Sequence, residues 1–306
     1  MAAPFLKWAG GKAKLVPTLA ALLPPFERYL EPFLGGGAVF FGLEERGAVP
    51  RALLSDTNPY LIDAFLAVRD AVEEVIEALA PLAADFAARD EAGRRELYYA
   101  VREHYPVGPV ATAAWLIFLN RTCYNGLFRV NAAGRFNVPY GRYKDPVILD
   151  AARLREASGA LQRAELRCAD FELVLAEARP GDFVYLDPPY QPLSATARFT
   201  NYTAGGFGPE DQERLARAFA SLTERGIPAA LSNSDHEAVR RLYDGRGYEI
   251  RIVPMSRAIN SDGRGRSPVP ELLVTNFRLV GVQPPAEAAT AEAPAPTPRN
   301  SRKAAL

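Results

Sequence analysis

The stretch Gly181-Asp182-Phe183-Val184-Tyr185-Leu186-Asp187-Pro188-Pro189-Tyr190 sets the tightest limit on how this chain folds. Its first half is an apolar run with the Val, Tyr and Leu mix of a buried strand. Its second half cannot continue a ladder, because two successive prolines lack N–H donors and hold φ near about −65°. A carboxylate therefore sits at the C-terminal end of a core strand, followed by carbonyls on a rigid turn and by an aromatic face. In open α/β sheets ligands bind outside the carboxyl ends of strands, which is where this turn lies. Asp187, Pro188, Pro189 and Tyr190 suit work on an exocyclic amine. The acid accepts one amine hydrogen, a proline carbonyl accepts the other, and the phenol ring stacks on the attached base. The plainer alternative is an acidic strand end followed by an extended linker.

Other strand signals alternate with helical ones, as in an α/β sheet protein. Arg28 to Phe33 reads as a short strand, and Leu34-Gly35-Gly36-Gly37 opens a helix. Glycine there lets backbone approach a ligand. Phe40 stands where a dinucleotide fingerprint needs Gly or Ala for helix–strand packing, which argues against a pyrophosphate-binding NAD site. Arg51 to Leu54 is a second strand. Asp56 follows 21 residues after Gly35, close to the spacing at which an acid meets ribose hydroxyls; it also fits as the N-cap of the next helix. Together these pieces place an adenosine-bearing ligand over the first two strands. Trp8 and Lys12, in the glycine-containing opening loop, read either as a lid with a cationic end or as a core tryptophan and a solvated lysine.

Apolar positions from Leu61 to Leu79 keep helical spacing. Strand signals then vanish for some fifty residues, and Ala111 to Leu119 is a nearly all-apolar buried helix. We expect an inserted, mainly helical domain over residues 62–146, between two parts of a sheet domain at 1–61 and 147–282. Residues 283–306, rich in Ala, Pro, Glu and Thr, have too few large apolar side chains to fold and are expected to be a disordered tail.

Net charge is zero, so nucleic-acid binding needs a local basic face. One exists. Between Arg121 and Lys144 there are five basic residues and no acidic one, interleaved with Tyr124, Tyr140 and Tyr143 around a turn at Gly134. That pattern predicts a β-hairpin or irregular ribbon whose Arg, Asn and Tyr side chains meet base edges. Arg257, Arg264 and Arg266, in the loop Ser256 to Ser267, form a second candidate phosphate-contacting strip. A further strand, Glu165 to Cys168, leads to Asp170 and Phe171, which fit a cofactor's adenine or a helix N-cap with its neighbour. Strands are also expected at Ile227 to Leu231, Tyr248 to Val253 and Leu272 to Leu279. His104 and His236 read as surface or structural residues.

Cys123 and Cys168 are too few for a zinc site or disulfide framework and read as core or near-core thiols. The N-terminus lacks signal-peptide character, and no apolar run approaches membrane-spanning length. A soluble cytoplasmic protein is expected.

The segments FLKWAGGK, EPFLGGGAVF, SDTN, NRTCYNGLFRVN, GRFNVPYGRY, DPPY and ELLVTNF occur in this order. In that order they resemble the Dam-type family of DNA N6-adenine methyltransferases, from about Phe5 to Phe277. The resemblance implies a class I, Rossmann-like methyltransferase sheet with an inserted DNA-recognition domain. It also implies S-adenosylmethionine as methyl donor and no metal; double-stranded DNA is the expected partner, and a monomer is expected. By it Trp8, Lys12, Gly35, Asp56 and Asp187 match cofactor-contacting positions, beside Asp170 and Phe171 from the residue reading. Tyr124 looks like the residue filling space beside a displaced base. Asn125, Leu127 and Arg129, with Arg142, Tyr143 and Lys144 nearby, look like the target-reading set, and Lys7 like a DNA contact from the opening loop. Relatives with a similar hairpin act on GATC. Two alternatives stay open: an N4-cytosine methyltransferase and a non-catalytic sequence-specific DNA-binding module. A protein-glutamine methyltransferase would place Asn where Asp187 stands.

Overall fold

The computed structural model describes residues 2–190, 207–255 and 269–278. The arginine strip at 257–266, most of the 191–208 loop and the tail lie outside these residues.

Seven strands make one mixed sheet: β1 (Arg28–Glu31), β2 (Ala52–Asp56), β3 (Ala164–Cys168), β4 (Asp182–Leu186), β5 (Ala229–Ser234), β6 (Glu249–Met255) and β7 (Val269–Thr275). Their spatial order is β3-β2-β1-β4-β5-β7-β6. β1 to β5 pair in parallel, and β7 lies antiparallel between β5 and β6. Ten α-helices are described: α1 (Val16–Leu22), α2 (Ala38–Glu44), α3 (Pro59–Asp70), α4 (Val72–Ala88), α5 (Glu91–Glu103), α6 (Pro109–Thr122), α7 (Ala151–Leu161), α8 (Phe171–Ala176), α9 (Pro209–Glu224) and α10 (Glu237–Tyr243).

The two-residue period of the strands divides the core. Tyr29, Leu54, Phe183 and Tyr185 face the layer that holds α1, α2, α3, α6 and α7. Leu30, Leu53, Val184, Leu186 and Leu231 face α8, α9 and α10. Arg28 pins the start of β1 to β4 through a two-pronged contact with the buried Asp182 carboxylate, at 3.0 and 2.7 Å.

The Leu61 to Leu79 run is two helices rather than one, because Ala71 leaves the helical region at φ −145° and ψ 46°. α3 packs on β2 and β3, and its buried Leu61, Phe65 and Val68 belong to the sheet's own core. Residue 62 therefore falls within α3, which packs on α6 as well as on the sheet. α6 carries buried residues on all sides and packs on α3, α4 and α5; a helix apolar all round has to be enclosed. Asn58 caps α3 by accepting from the N–H of Tyr60 and of Leu61, so the cap expected of Asp56 belongs to its neighbour. Cys123 is buried, but Cys168 is exposed, which corrects its reading as a near-core thiol; it ends the edge strand β3. His236 caps α10. No helix among the described residues is long and apolar enough to cross a membrane.

Candidate active site and nucleic-acid interface

The strand order reverses between β1 and β4, whose neighbours extend to opposite edges of the sheet. At such a topological switch point the ligand crevice lies outside the carboxyl ends of the two strands. There Glu31 ends β1, Asp56 ends β2, Asp170 follows β3, Asp187 follows β4, and Ser232 to Ser234 end β5. All five strands deliver polar groups to one rim.

On the β1 side Gly35 and Gly37 adopt φ +49° and +70°, which L side chains avoid. Space matters as much as angle. A Cβ on Gly35 would lie 2.9 Å from the Trp8 indole, and one on Gly36 would lie 2.8 Å from Trp8 Cβ. The glycines therefore seat Trp8, whose ring also stacks on Phe128 at 5.6 Å. Asp56 fixes this turn by accepting from the Gly35 N–H and the Asn58 N–H, each at 3.0 Å. Desolvation pushes its carboxyl pKa up, and the backbone donors pull it back. Half-buried Phe33, which sequence reading passed over, lies between this turn and Phe171 at 5.3 Å.

On the β4 side Asp187 keeps a fifth of its side chain exposed. Its Oδ1 accepts from Ser232 Oγ at 2.8 Å and meets Lys12 Nζ at 3.1 Å. Lys12 is buried, donates to the Gly10 carbonyl at 2.7 Å, and lies 4.6 Å from the centre of the Tyr190 ring. The ammonium thus sits over one face of that ring, beside the acid. Burial raises the Asp187 pKa, while Lys12 and Ser232 oppose the rise. Beneath it Glu31 is wholly buried, accepts from Tyr29 OH at 2.8 Å, and has its pKa pushed up to about 8, chiefly by desolvation.

Asp170 and Phe171 follow β3 on the same rim. Asp170 caps α8 and pairs with Arg214 at 2.9 Å. Phe171 is buried in the core, with Phe33 on one side and the Arg214 guanidinium 4.9 Å from its ring. Its ring is buried there, and the neighbouring Phe33 is only half-buried.

The basic segment is an irregular ribbon. Single bridges join Cys123 to Tyr140 and Val130 to Phe136, and the Gly134 N–H closes a turn on Asn131. Asn125 and Arg142, both exposed, have φ +54° and +53°, the two non-glycine residues in the left-handed region among those described. Strained backbone of this kind concentrates at working surfaces. Gly141 between the two segments admits no side chain, since a Cβ would lie 2.5 Å from the Cys123 carbonyl oxygen. Tyr124 is exposed and Leu127 half-buried. Arg129 is aimed by Asn137, donating Nε to its side-chain oxygen at 2.7 Å and Nη2 to its carbonyl at 3.1 Å. The Lys144 carbonyl is tied to α5 by Arg94 at 2.7 Å.

Ribbon and crevice meet in the opening loop. Lys7 Nζ lies 4.7 Å from the Tyr143 ring, and Gly126 is packed so tightly that a Cβ would lie 2.8 Å from Lys7 Cβ. Buried Asn120 accepts from the Lys7 N–H at 2.7 Å and donates to the carbonyls of Lys7 and Gly126 at 2.7 and 3.0 Å. Lys7, Trp8 and Lys12 thus join Tyr143, Phe128 and Asp187. Sequence reading missed Asn120, although a lone amide at the end of an otherwise apolar helix was a signal.

Comparison with known proteins agrees with this geometry. Residues 8–258 match the family model described as D12 class N6 adenine-specific DNA methyltransferase. The chain is 41% identical over 287 residues to the Type II methyltransferase M.MjaIII of Methanocaldococcus jannaschii, spanning 90% of this chain and 99% of that one. It is 37% identical over 283 residues to the Type II methyltransferase M1.LlaDCHI of Lactococcus lactis subsp. cremoris, spanning 90% and 95%. It is 38% identical over 271 residues to the DNA adenine methylase of Escherichia coli K12, spanning 88% and 93%. A reversed seventh strand, an acid–diproline–tyrosine turn at the switch point and a basic ribbon beside it are what such an enzyme requires, and this chain belongs to the D12 class of N6 adenine-specific DNA methyltransferases.

Proposed function

We propose that the chain, acting as a monomer, methylates the N6 amine of an adenine displaced from duplex DNA, within GATC, using S-adenosylmethionine. The observation that carries this reading is the Asp187–Tyr190 turn at the switch point, tied through the opening loop to the ribbon of Arg129. The crevice suits the donor. The glycine turn leaves no room for side chains under Trp8, Asp56 at the end of β2 fixes that turn, and the bulky buried Phe40 argues against a pyrophosphate loop. Trp8, Gly35, Asp56 and Asp187, with Phe33 and Lys12 beside them, would hold it. When bound, S-adenosylmethionine supplies a methyl group already activated on a sulfonium.

The protein's share is orientation. A flipped adenine, displaced at a cost of a few kcal/mol, stacks on Tyr190. Asp187 and the Pro188 carbonyl accept its two amine hydrogens, which favours a pyramidal nitrogen whose lone pair points at the methyl group. Holding the partners in line is worth up to roughly 7–11 kcal/mol. Tyr124 fills the gap left in the duplex, and Lys7, Asn125, Leu127, Arg129 and Tyr143 read the target, with Arg142 and Lys144 on phosphates. Helices α4 to α6 and the ribbon form the recognition unit.

The test is methylation of duplexes bearing GATC and its single-base variants, with nucleosides identified by mass spectrometry. N6-methyladenine confined to GATC is expected; N4-methylcytosine, or equal labelling of all duplexes, overturns the reading. Arg129→Ala should relax discrimination at one base pair by about 1–3 kcal/mol, measured as relative kcat/KM across a site library. Gly36→Val forces a side chain against Trp8, and overpacking of about 1–3 kcal/mol should weaken S-adenosylmethionine binding by about tenfold in calorimetry while leaving DNA affinity unchanged.

A further inference from the structure

The Asp187 carboxylate is held from behind by a residue outside the motifs that carry the resemblance. Ser232 on β5 and Tyr185 on β4 are buried side by side on adjacent, hydrogen-bonded strands. Ser232 Oγ lies 2.8 Å from Asp187 Oδ1 and 2.8 Å from Tyr185 OH. An ionised carboxylate only accepts, so the single Ser232 hydrogen goes to Asp187, and Tyr185 must donate to Ser232. The chain has one direction: Tyr185 O–H to Ser232 O–H to Asp187 Oδ1. Lys12 Nζ takes the other lone pair of the same oxygen at 3.1 Å. Among the described residues nothing donates to Oδ2. One carboxylate oxygen is saturated by protein, and the other is left for the amine.

Resting on the reading of Asp187 given above, we propose that Ser232, oriented by Tyr185, is a positioning residue for methyl transfer that locks the carboxylate so that Oδ2 faces the target amine. A free carboxylate rotates about its Cβ–Cγ bond and presents either oxygen over a range of angles. A donor fixed in a buried strand removes that freedom before substrate arrives, which is preorganisation of an acceptor. The strand supplies what a loop would not: Ser232 lies opposite Leu273 of β7 and is enclosed on both sides. The polar run Ser232-Asn233-Ser234, buried at the end of an otherwise apolar strand, is explained by the same role, since Asn233 in turn bonds Gln212 of α9 at 3.0 Å.

The groups facing Asp187 are Lys12 from the opening loop, Tyr29 and Glu31 from β1, Tyr185 and Tyr190 from β4 and its turn, Ser232 from β5 and Glu271 from β7. Lys12 and Ser232 are the two that lower its pKa. Removing Ser232 takes away a donor to the charged form, so Asp187 holds its proton to higher pH.

The experiment measures kcat, KM for DNA and for S-adenosylmethionine, and the pH profile of kcat for Ser232→Ala, Ser232→Thr, Tyr185→Phe and Asp187→Ala. Loss of a hydrogen bond to a charged group predicts about a 10–100-fold fall in kcat for Ser232→Ala. Both KM values should stay near wild type, and the acid limb should move to higher pH. Tyr185→Phe should give a smaller change in the same direction, and Ser232→Thr, which keeps the hydroxyl, should restore most of the rate. An unmoved acid limb with unchanged kcat in Ser232→Ala, or a Ser232→Thr variant no better than alanine, overturns the proposal. If Ser232→Ala loses its fold, an unmoved acid limb in Tyr185→Phe does so. Should Asp187→Ala itself retain methylation, the reading of Asp187 fails instead, and the two failures are told apart in one series.

Discussion

Replacing Asp187 with alanine should lower methyl incorporation by on the order of 10²–10³-fold, the usual loss when one preorganised polar group is removed from a transfer site. DNA affinity should stay close to wild type. Discrimination between the two effects follows from where the side chain sits. Asp187 meets Lys12, Ser232 and the crevice, whereas Tyr124, Asn125 and Arg129, the groups proposed to read DNA, stand on the ribbon and are held by other partners. Alanine also strips the buried Lys12 ammonium of its nearest anion, so Asp187→Asn is the companion variant. It keeps the volume and an oxygen for Lys12 but offers the target no second anionic acceptor. Both should bind a GATC duplex in fluorescence anisotropy and fail to transfer labelled methyl groups. Near-normal incorporation by either would remove Asp187 from the mechanism.

Stability should fall as pH rises through neutrality, because of Glu31. Its carboxyl pKa is raised from 4.5 to about 8 in the folded chain. The folded state therefore keeps a proton that the unfolded state has released, between those two values. In that window the unfolded state binds fewer protons, so unfolding becomes easier as pH climbs. At about 1.36 kcal/mol per pK unit, the loss between pH ~5.5 and ~8 is about 2–3 kcal/mol. Glu31→Gln keeps the shape and an acceptor for Tyr29 OH but has no proton to lose. Urea denaturation at the two pH values should show the wild type losing that much more stability than the variant. Parallel curves for the two proteins would show that Glu31 is ionised in the fold at neutral pH.

The framework was legible because it is written in local chemistry. The Val, Tyr and Leu run before Pro188, the glycines after β1 and the acidic residue after β2 all carry signals within a few positions, and the structure gathers Trp8, Gly35, Asp56 and Asp187 at one switch point. The ribbon was legible as a run of one charge sign around Gly134. What could not be read depends on contacts between distant segments. Ser232 matters only because β5 lies beside β4, and Asn120 only because the opening loop returns 113 residues to meet it. The contact of Arg214, from α9, with the Phe171 ring likewise joins segments far apart in sequence. The break at Ala71 carried no Gly or Pro, so periodicity ran through it. Cys168 looked apolar enough for the core, but β3 proved to be an edge.

The interlock of Gly126 with Lys7 and of Phe128 with Trp8 has a practical consequence for rewiring the target. Transplanting residues 120–144 from a relative with another site preference would leave foreign side chains against a native loop that also packs on the glycine turn proposed to hold the donor. Such a chimera should lose turnover on every duplex until residues 5–12 are exchanged with it. On the proposed roles, recognition and donor capture would then change together, from two segments that lie far apart in the gene.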